Sequence, residues 1–129
     1  MTRINLIAPA ELCDQHLLAE HRELTRIPNA VAKGKFSLLG QPEDYKLGTG
    51  HVRFFFNKLQ FLKKRYDLLH QECRARGFNV QYIWPDKLPE DDNLWLDYIP
   101  TEHALAANRA RILERMPVKA RFTPSKATT

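Results

Sequence analysis

The residues of this 129-residue chain best suited to chemistry stand at its start, Met1-Thr2-Arg3-Ile4-Asn5-Leu6-Ile7, and on the segment that follows, where Glu23 lies between Arg22 and Arg26. An initiator methionine before a small residue is ordinarily removed, which would leave the free α-amine of Thr2 at the terminus. Such an amine has an ordinary pKa of about 7.7 to 8, so roughly a tenth of it is neutral and nucleophilic at pH 7. Beside a carboxylate it forms a minimal kit for imine chemistry: the amine attacks a carbonyl-like carbon, and the carboxylate moves protons and stabilises the cation that forms. At C1′ of a nucleotide, that attack would displace the base, open the sugar and acidify C2′. Elimination of the 3′ phosphate can follow without a metal.

Two elements must bring this pair together. Seven extended residues reach roughly 23 Å, and a helix from Pro9 to Glu23 rises roughly 21 Å. An arm folded back antiparallel to the helix therefore carries the amine to Glu23. The helix is predicted from Pro9 to about Arg26, with Pro28 ending it. Leu12, Cys13, Leu17, Leu18, His21 and Leu24 mark its apolar side, and His16, Glu20 and Glu23 the opposite side, flanked by Gln15, Arg22 and Arg26. On residue type alone, Glu23 reads as a surface ion-pair residue, His16 as solvated, and the two arginines as cations favoured by the helix dipole.

Residues 27–50 read as a loop with one short turn of helix, since glycines and prolines recur there without a Walker pattern. A single long helix is then predicted from Val52 through Phe55, Phe56, Leu59, Leu62, Tyr66, Leu69 and Cys73 to a stop at Gly77. Residues 78–100 lose periodicity and form a long connection anchored by Trp84 and Trp95. Thr101 is a suitable N-cap for a last helix to about Met116, with Leu105, Ile112 and Met116 facing inward. The basic tail, 117–129, is expected to be poorly ordered. The chain is thus expected to be all-α, one compact domain spanning 1–129 with three main helices and long irregular connections.

The formal charge of +5 and pI near 9.4 favour a polyanionic partner. Residues 51–77 carry Arg53, Lys58, Lys63, Lys64, Arg65, Arg74 and Arg76 against Asp67 and Glu72, and residues 109–129 carry a second basic block. Residues 86–102 between them are acidic. The two blocks could form one positive face with the acidic loop turned away, or could be ordinary solvated helix faces. Cys13 and Cys73 fall on apolar helix positions and read as reduced core residues of an intracellular, cytoplasmic protein. No long apolar segment suggests a membrane span or a signal peptide. His16, His21, His51, His70 and His103 show no metal-ligand spacing, and no serine or cysteine triad motif occurs, so neither a metal nor another cofactor is expected.

Met1 to Leu6, Asp14-Gln15-His16-Leu17, Arg22-Glu23-Leu24, Gly50-His51-Val52-Arg53-Phe54-Phe55, Phe61-Leu62-Lys63-Lys64-Arg65, Arg76-Gly77-Phe78-Asn79 and Asp97-Tyr98-Ile99-Pro100 keep order and approximate spacing with one family. In these stretches the chain resembles the pyrimidine-dimer DNA glycosylases of the phage endonuclease V type. The resemblance implies a compact all-helical enzyme, its N-terminal arm packed between helices. It implies excision of ultraviolet-induced cyclobutane pyrimidine dimers and β-elimination at the resulting abasic site, probed on double-stranded DNA by a monomer. By this resemblance Thr2 supplies the amine that forms a Schiff base with C1′, and Glu23 is the essential carboxylate. Arg3, Gln15, His16, Arg22 and Arg26 match positions around the dimer and its phosphates. Arg111 and Arg115 match basic DNA contacts on the last helix. The family also extrudes a base opposite the lesion. One departure bears on substrate: the phage pattern has a tail crowded with Trp and Tyr, where this chain has only Phe122 before Thr123-Pro124-Ser125. The alternatives are the same imine chemistry on another base lesion, and a non-catalytic helical DNA-binding module.

Overall fold

A computed structural model describes residues 2–126. Five α-helices occur among them: α1 (Asp14–Glu23), α2 (Arg26–Ala32), α3 (His51–Phe55), α4 (Leu59–Ala75) and α5 (Glu102–Glu114), with short 3-10 turns at Pro9–Glu11 and Asp92–Leu94. The described residues contain no strand, only an isolated antiparallel bridge between Lys58 and Trp95. The fold is all-α, as expected, with α1, α4 and α5 as the three main helices.

The apolar stripes place these helices. Leu12, Cys13, Leu17 and Leu24 meet Leu59, Leu62, Tyr66, Leu69 and Cys73, all fully buried, so α1 packs on α4. Each such leucine contributes roughly 1.5–3 kcal/mol by leaving water. Both cysteines are free and buried, and burial pushes the Cys73 thiol up to about 11. Gly77 ends α4 as anticipated: it adopts φ 89° while Phe78 N–H reaches back to Cys73 O at 2.9 Å. Thr101 caps α5, its hydroxyl accepting from Ala104 N–H at 3.0 Å. Trp84 and Trp95 anchor the irregular connection. Trp84 packs on Tyr66, and the Trp95 indole donates to Pro89 O at 2.7 Å.

Two predicted helices prove to be broken. The segment expected to run unbroken to Arg26 is a 3-10 turn, then α1, then a separate α2 that continues past Pro28. Pro28 sits in the first turn of α2, where no intrahelical N–H is required of it, so it starts a helix rather than ending one. The long central helix is interrupted at residues 56–58. There Asn57 O accepts from Leu96 N–H and Phe61 N–H turns to Leu96 O, so the connection carrying Trp95 crosses the break and takes over the freed backbone groups. The tail also makes specific contacts up to residue 126. Asp14 N–H, the first free donor of α1, bonds Arg121 O at 2.6 Å; the Asp14 carboxylate accepts from Thr123 N–H at 3.0 Å; and Lys126 N–H bonds Ala75 O at 2.7 Å. The remainder of the tail, 127–129, lies outside the described residues.

The arm, residues 2–7, is extended and has no strand to pair with, so its polar backbone must be satisfied by side chains. Ile4 N–H donates to His51 Nε2 at 2.8 Å and Ile4 O accepts from the Tyr45 hydroxyl at 2.9 Å. Leu6 and Ile7 N–H donate to Asn108 Oδ1 at 2.7 and 3.2 Å, and Ile7 O accepts from Arg65 Nη1. The arm is therefore enclosed by α1, α3, α4 and α5, with Ile4 wholly buried. Among the described residues no helix is long and apolar enough to cross a membrane.

Candidate active site

The direction of the arm follows from two contacts. Asn5 Nδ2 donates to Glu20 Oε1 at 2.8 Å, and Arg26 Nη1 donates to Thr2 Oγ1 at 3.4 Å. Moving back along the arm from residue 5 to residue 2 moves forward along the chain from residue 20 to residue 26. The arm runs antiparallel to α1, the geometry the reach calculation required.

Glu20 and Glu23 lie one turn apart and differ sharply. The sequence suggests that both share the open side of the helix. Instead Glu20 is buried and fully engaged: Arg65 Nε and Nη2 donate to its two oxygens at 2.8 and 2.9 Å, and Asn5 adds a third bond. Glu23 keeps 17 % of its side chain exposed and meets Arg22 Nη2 at 3.4 Å. It lines a cavity of about 320 Å³ with Arg3, Asn5, His16, Ala19, Glu20 and Arg115. Thr2 lines a smaller cavity of about 90 Å³ with Arg3, Leu47, Gly48, His51, Val52 and Arg111. Arg3 is a wall of both.

The five arginines matched to DNA contacts differ in how far they are already engaged. Arg22 is largely exposed and Arg26 reaches Thr2. Arg111 pairs with Glu114 at 3.3 Å, and Arg115, exposed, lines the Glu23 cavity. Burial, followed by the nearby charges of Arg111 and Arg115, lowers the pKa of the Arg3 guanidinium from its ordinary value; Tyr45 and Glu20 oppose the shift. Crowded, partly buried guanidinium groups of this kind form an anion-seeking wall.

His16 Nε2 meets the Arg115 carbonyl at 3.1 Å, which makes that nitrogen the donor. Nδ1 is buried and has no hydrogen-bond partner among the described residues. Gln15 behaves otherwise. Its Nε2 donates to Lys119 O at 2.8 Å and its Oε1 accepts from Arg121 N–H at 3.1 Å, so the amide holds the segment after α5 and keeps one N–H and one lone pair.

The first basic block does not form the positive face that its composition allowed. Lys63 pairs with Asp67, Arg65 with Glu20, and Arg76 with Asp14 and Glu72, while Lys64 bonds Asp97 of the acidic loop at 2.7 Å. The acidic loop thus neutralises part of the block instead of turning away from it. The positive charge near the cavities comes from Arg3, Arg22, Arg26 and the arginines at the end of α5, Arg111 and Arg115. The sequence reading missed Tyr45, Asn108 and Arg65, which hold the arm. Their signal was present in two cases: Arg65 and Asn108 interrupt the apolar stripes of α4 and α5.

The largest cavity, about 720 Å³, opens elsewhere, between the end of the arm and α4, and none of the predicted site residues lines it. No group of three or more His, Cys, Asp or Glu side chains among the described residues is arranged to hold a metal ion. An arm fixed antiparallel to α1, a half-buried carboxylate and a wall of guanidinium groups agree with what comparison with known families finds. The family model described as pyrimidine dimer DNA glycosylase matches residues 1–86, two-thirds of the sequence, and the chain belongs to that family of DNA glycosylases.

Proposed function

We propose that the chain cuts the glycosidic bond of the 5′ base of a cyclobutane pyrimidine dimer in double-stranded DNA and then cleaves the strand by β-elimination, through an imine on the α-amine of residue 2. The neutral amine attacks C1′. The glycosidic bond breaks with its electron pair leaving on the base, which takes up a proton; the attacking nitrogen gives up one of its protons, the C1′–O4′ bond breaks as O4′ takes up a proton, and a protonated imine remains. Its positive charge acidifies C2′, and loss of that proton expels the 3′ phosphate. Water then hydrolyses the imine and frees the amine.

Glu23 is the carboxylate assigned to stabilise the iminium and to carry protons during ring opening and elimination. Arg3, Arg22, Arg26, Arg111 and Arg115 are assigned to the phosphates flanking the lesion, where guanidinium forks match phosphate oxygens. His16 is assigned to the lesion side of the cavity through its unpartnered Nδ1. Gln15 acts through the backbone of 119–121, which it holds beside the DNA. The protein works on DNA inside the cell as a single copy and needs no cofactor.

The observation that carries this reading is the antiparallel course of the arm along α1, fixed at Asn5 with Glu20 and at Thr2 with Arg26. The test is strand incision on duplexes that each hold one defined lesion, with wild type and Glu23→Gln. Incision at a cyclobutane dimer by wild type, and binding without incision by the variant, support the reading. Incision only at another lesion would move the substrate and keep the chemistry. Binding without incision by wild type itself would leave a DNA-binding module.

A further inference from the structure

His51 holds the arm two residues from the proposed nucleophile. Its Nε2 accepts Ile4 N–H at 2.8 Å, and its Nδ1 stands 2.8 Å from Lys46 O. The backbone N–H can only donate and the carbonyl can only accept, so the ring is the neutral tautomer with its proton on Nδ1. On the other side of the same peptide unit, Tyr45 donates to Ile4 O. Tyr45 and His51 also meet edge to face, with centroids 5.3 Å apart. The two side chains thus grip both polar atoms of Ile4, two residues from Thr2, and His51 lines the same small cavity as Thr2 and Arg3.

We propose that His51 and Tyr45 are positioning residues for the terminal nucleophile, clamping Ile4 so that residue 2 faces the cavity, and that protonation of His51 opens the clamp. An imidazolium presents N–H at Nε2, so two donors would face each other across 2.8 Å and the arm would have to move. The charged and titratable groups around the ring favour the neutral form on balance. Burial acts first, and Arg3 from the arm and Arg111 from α5 add to it; the Lys46 carbonyl and Glu20 from α1 oppose it. Glu20 is itself paired with Arg65. The clamp is therefore closed at neutral pH and opens only where acid protonates the ring.

This inference rests on residue 2 being the nucleophile, and the test separates the two. Single-turnover hydride trapping on a duplex with one abasic site is measured from pH 8 to pH 4.5 for wild type and for His51→Gln, whose amide oxygen can accept Ile4 N–H at every pH. All other ionisable groups are common to the two proteins, so the ratio of the two rates isolates the His51 proton. The ratio of wild type to variant is expected to fall by about tenfold per pH unit once the imidazole protonates. A ratio that stays flat while both proteins trap overturns the clamp. No trapping by wild type at any pH overturns the imine reading instead. A second measurement on wild type alone covers a variant that fails to fold: the Ile4 amide is expected to lose its hydrogen-exchange protection as the His51 ring titrates. Protection that persists through that titration overturns the clamp.

Discussion

Glu20 and Arg65 meet through two hydrogen bonds, of 2.8 and 2.9 Å, and Glu20 lines the same cavity as Glu23. Both side chains are nearly inaccessible, and Asn5 joins them to the arm. A carboxylate so committed is neutralised by a fixed cation and is no proton carrier, whereas Glu23, one turn later, remains available. Removing Arg65 leaves the Glu20 charge buried with one amide partner. Arg65→Met is therefore expected to cost about 3–5 kcal/mol of stability. Denaturant unfolding measures this, and a loss below about 1 kcal/mol would show that the pair is not buried as described.

Replacing both members should be milder than the sum of the single changes, because each single change strands its partner. Glu20→Met with Arg65→Met is expected to show a coupling of about 1–3 kcal/mol in a double-mutant cycle. Strict additivity would mean that the two residues do not interact.

The internal polar residues were the part of the fold hardest to read beforehand. The apolar spacing of Leu17, Leu24, Leu62, Tyr66 and Leu69 announces α1 and α4 because helical burial is periodic. Arg65 and Asn108 interrupt the stripes of α4 and α5, Glu20 read as a residue of the open side of α1, and the partners of all three lie 15 to 103 positions away, beyond the reach of local periodicity. A charged residue on a buried stripe, such as Arg65, signals an unseen partner of opposite sign, but the position of Glu20 did not single it out. The break at residues 56–58 left no trace because the stripe keeps its period across it; only the crossing of Leu96 reveals it. The antiparallel course of the arm was legible because arm length and helix rise are fixed by covalent geometry, whereas Arg111 and Arg115 were reached only through the family resemblance.

Acid should weaken the fold through histidine. His21 is buried against His70, Nε2 to Nδ1 at 3.1 Å, and burial, then the neighbouring His70, lowers its pKa below the ordinary 6.5. The unfolded chain therefore takes up this proton more readily than the folded one. The contribution is intact above pH 6.5 and is lost as pH falls through the lower folded value. Melting temperature should decline from pH 6.5 downward in wild type, and less steeply in His21→Phe, which can keep the stacking on Tyr66. Equal slopes in the two proteins would exclude His21 as a source.

Phosphate contact and internal pairing predict different salt behaviour for two sets of cations. Arg22→Ala, Arg26→Ala or Arg115→Ala should weaken duplex binding and reduce the slope of log affinity against log salt by about 1 for each phosphate released. Lys64→Ala, whose ammonium is held by Asp97, should leave the slope unchanged. A lower slope for Lys64→Ala, with none for the arginines, would place the DNA on the opposite face.

The most direct measurement is the identity of the atom that attacks. Protein reacting with a duplex containing one cyclobutane dimer is reduced with borohydride, digested, and the peptide carrying the sugar remnant is sequenced by mass spectrometry. Attack by the terminal amine predicts the remnant on the α-nitrogen of residue 2, and none when that nitrogen is acetylated. A remnant on a lysine side chain, or undiminished incision by the acetylated protein, would contradict it.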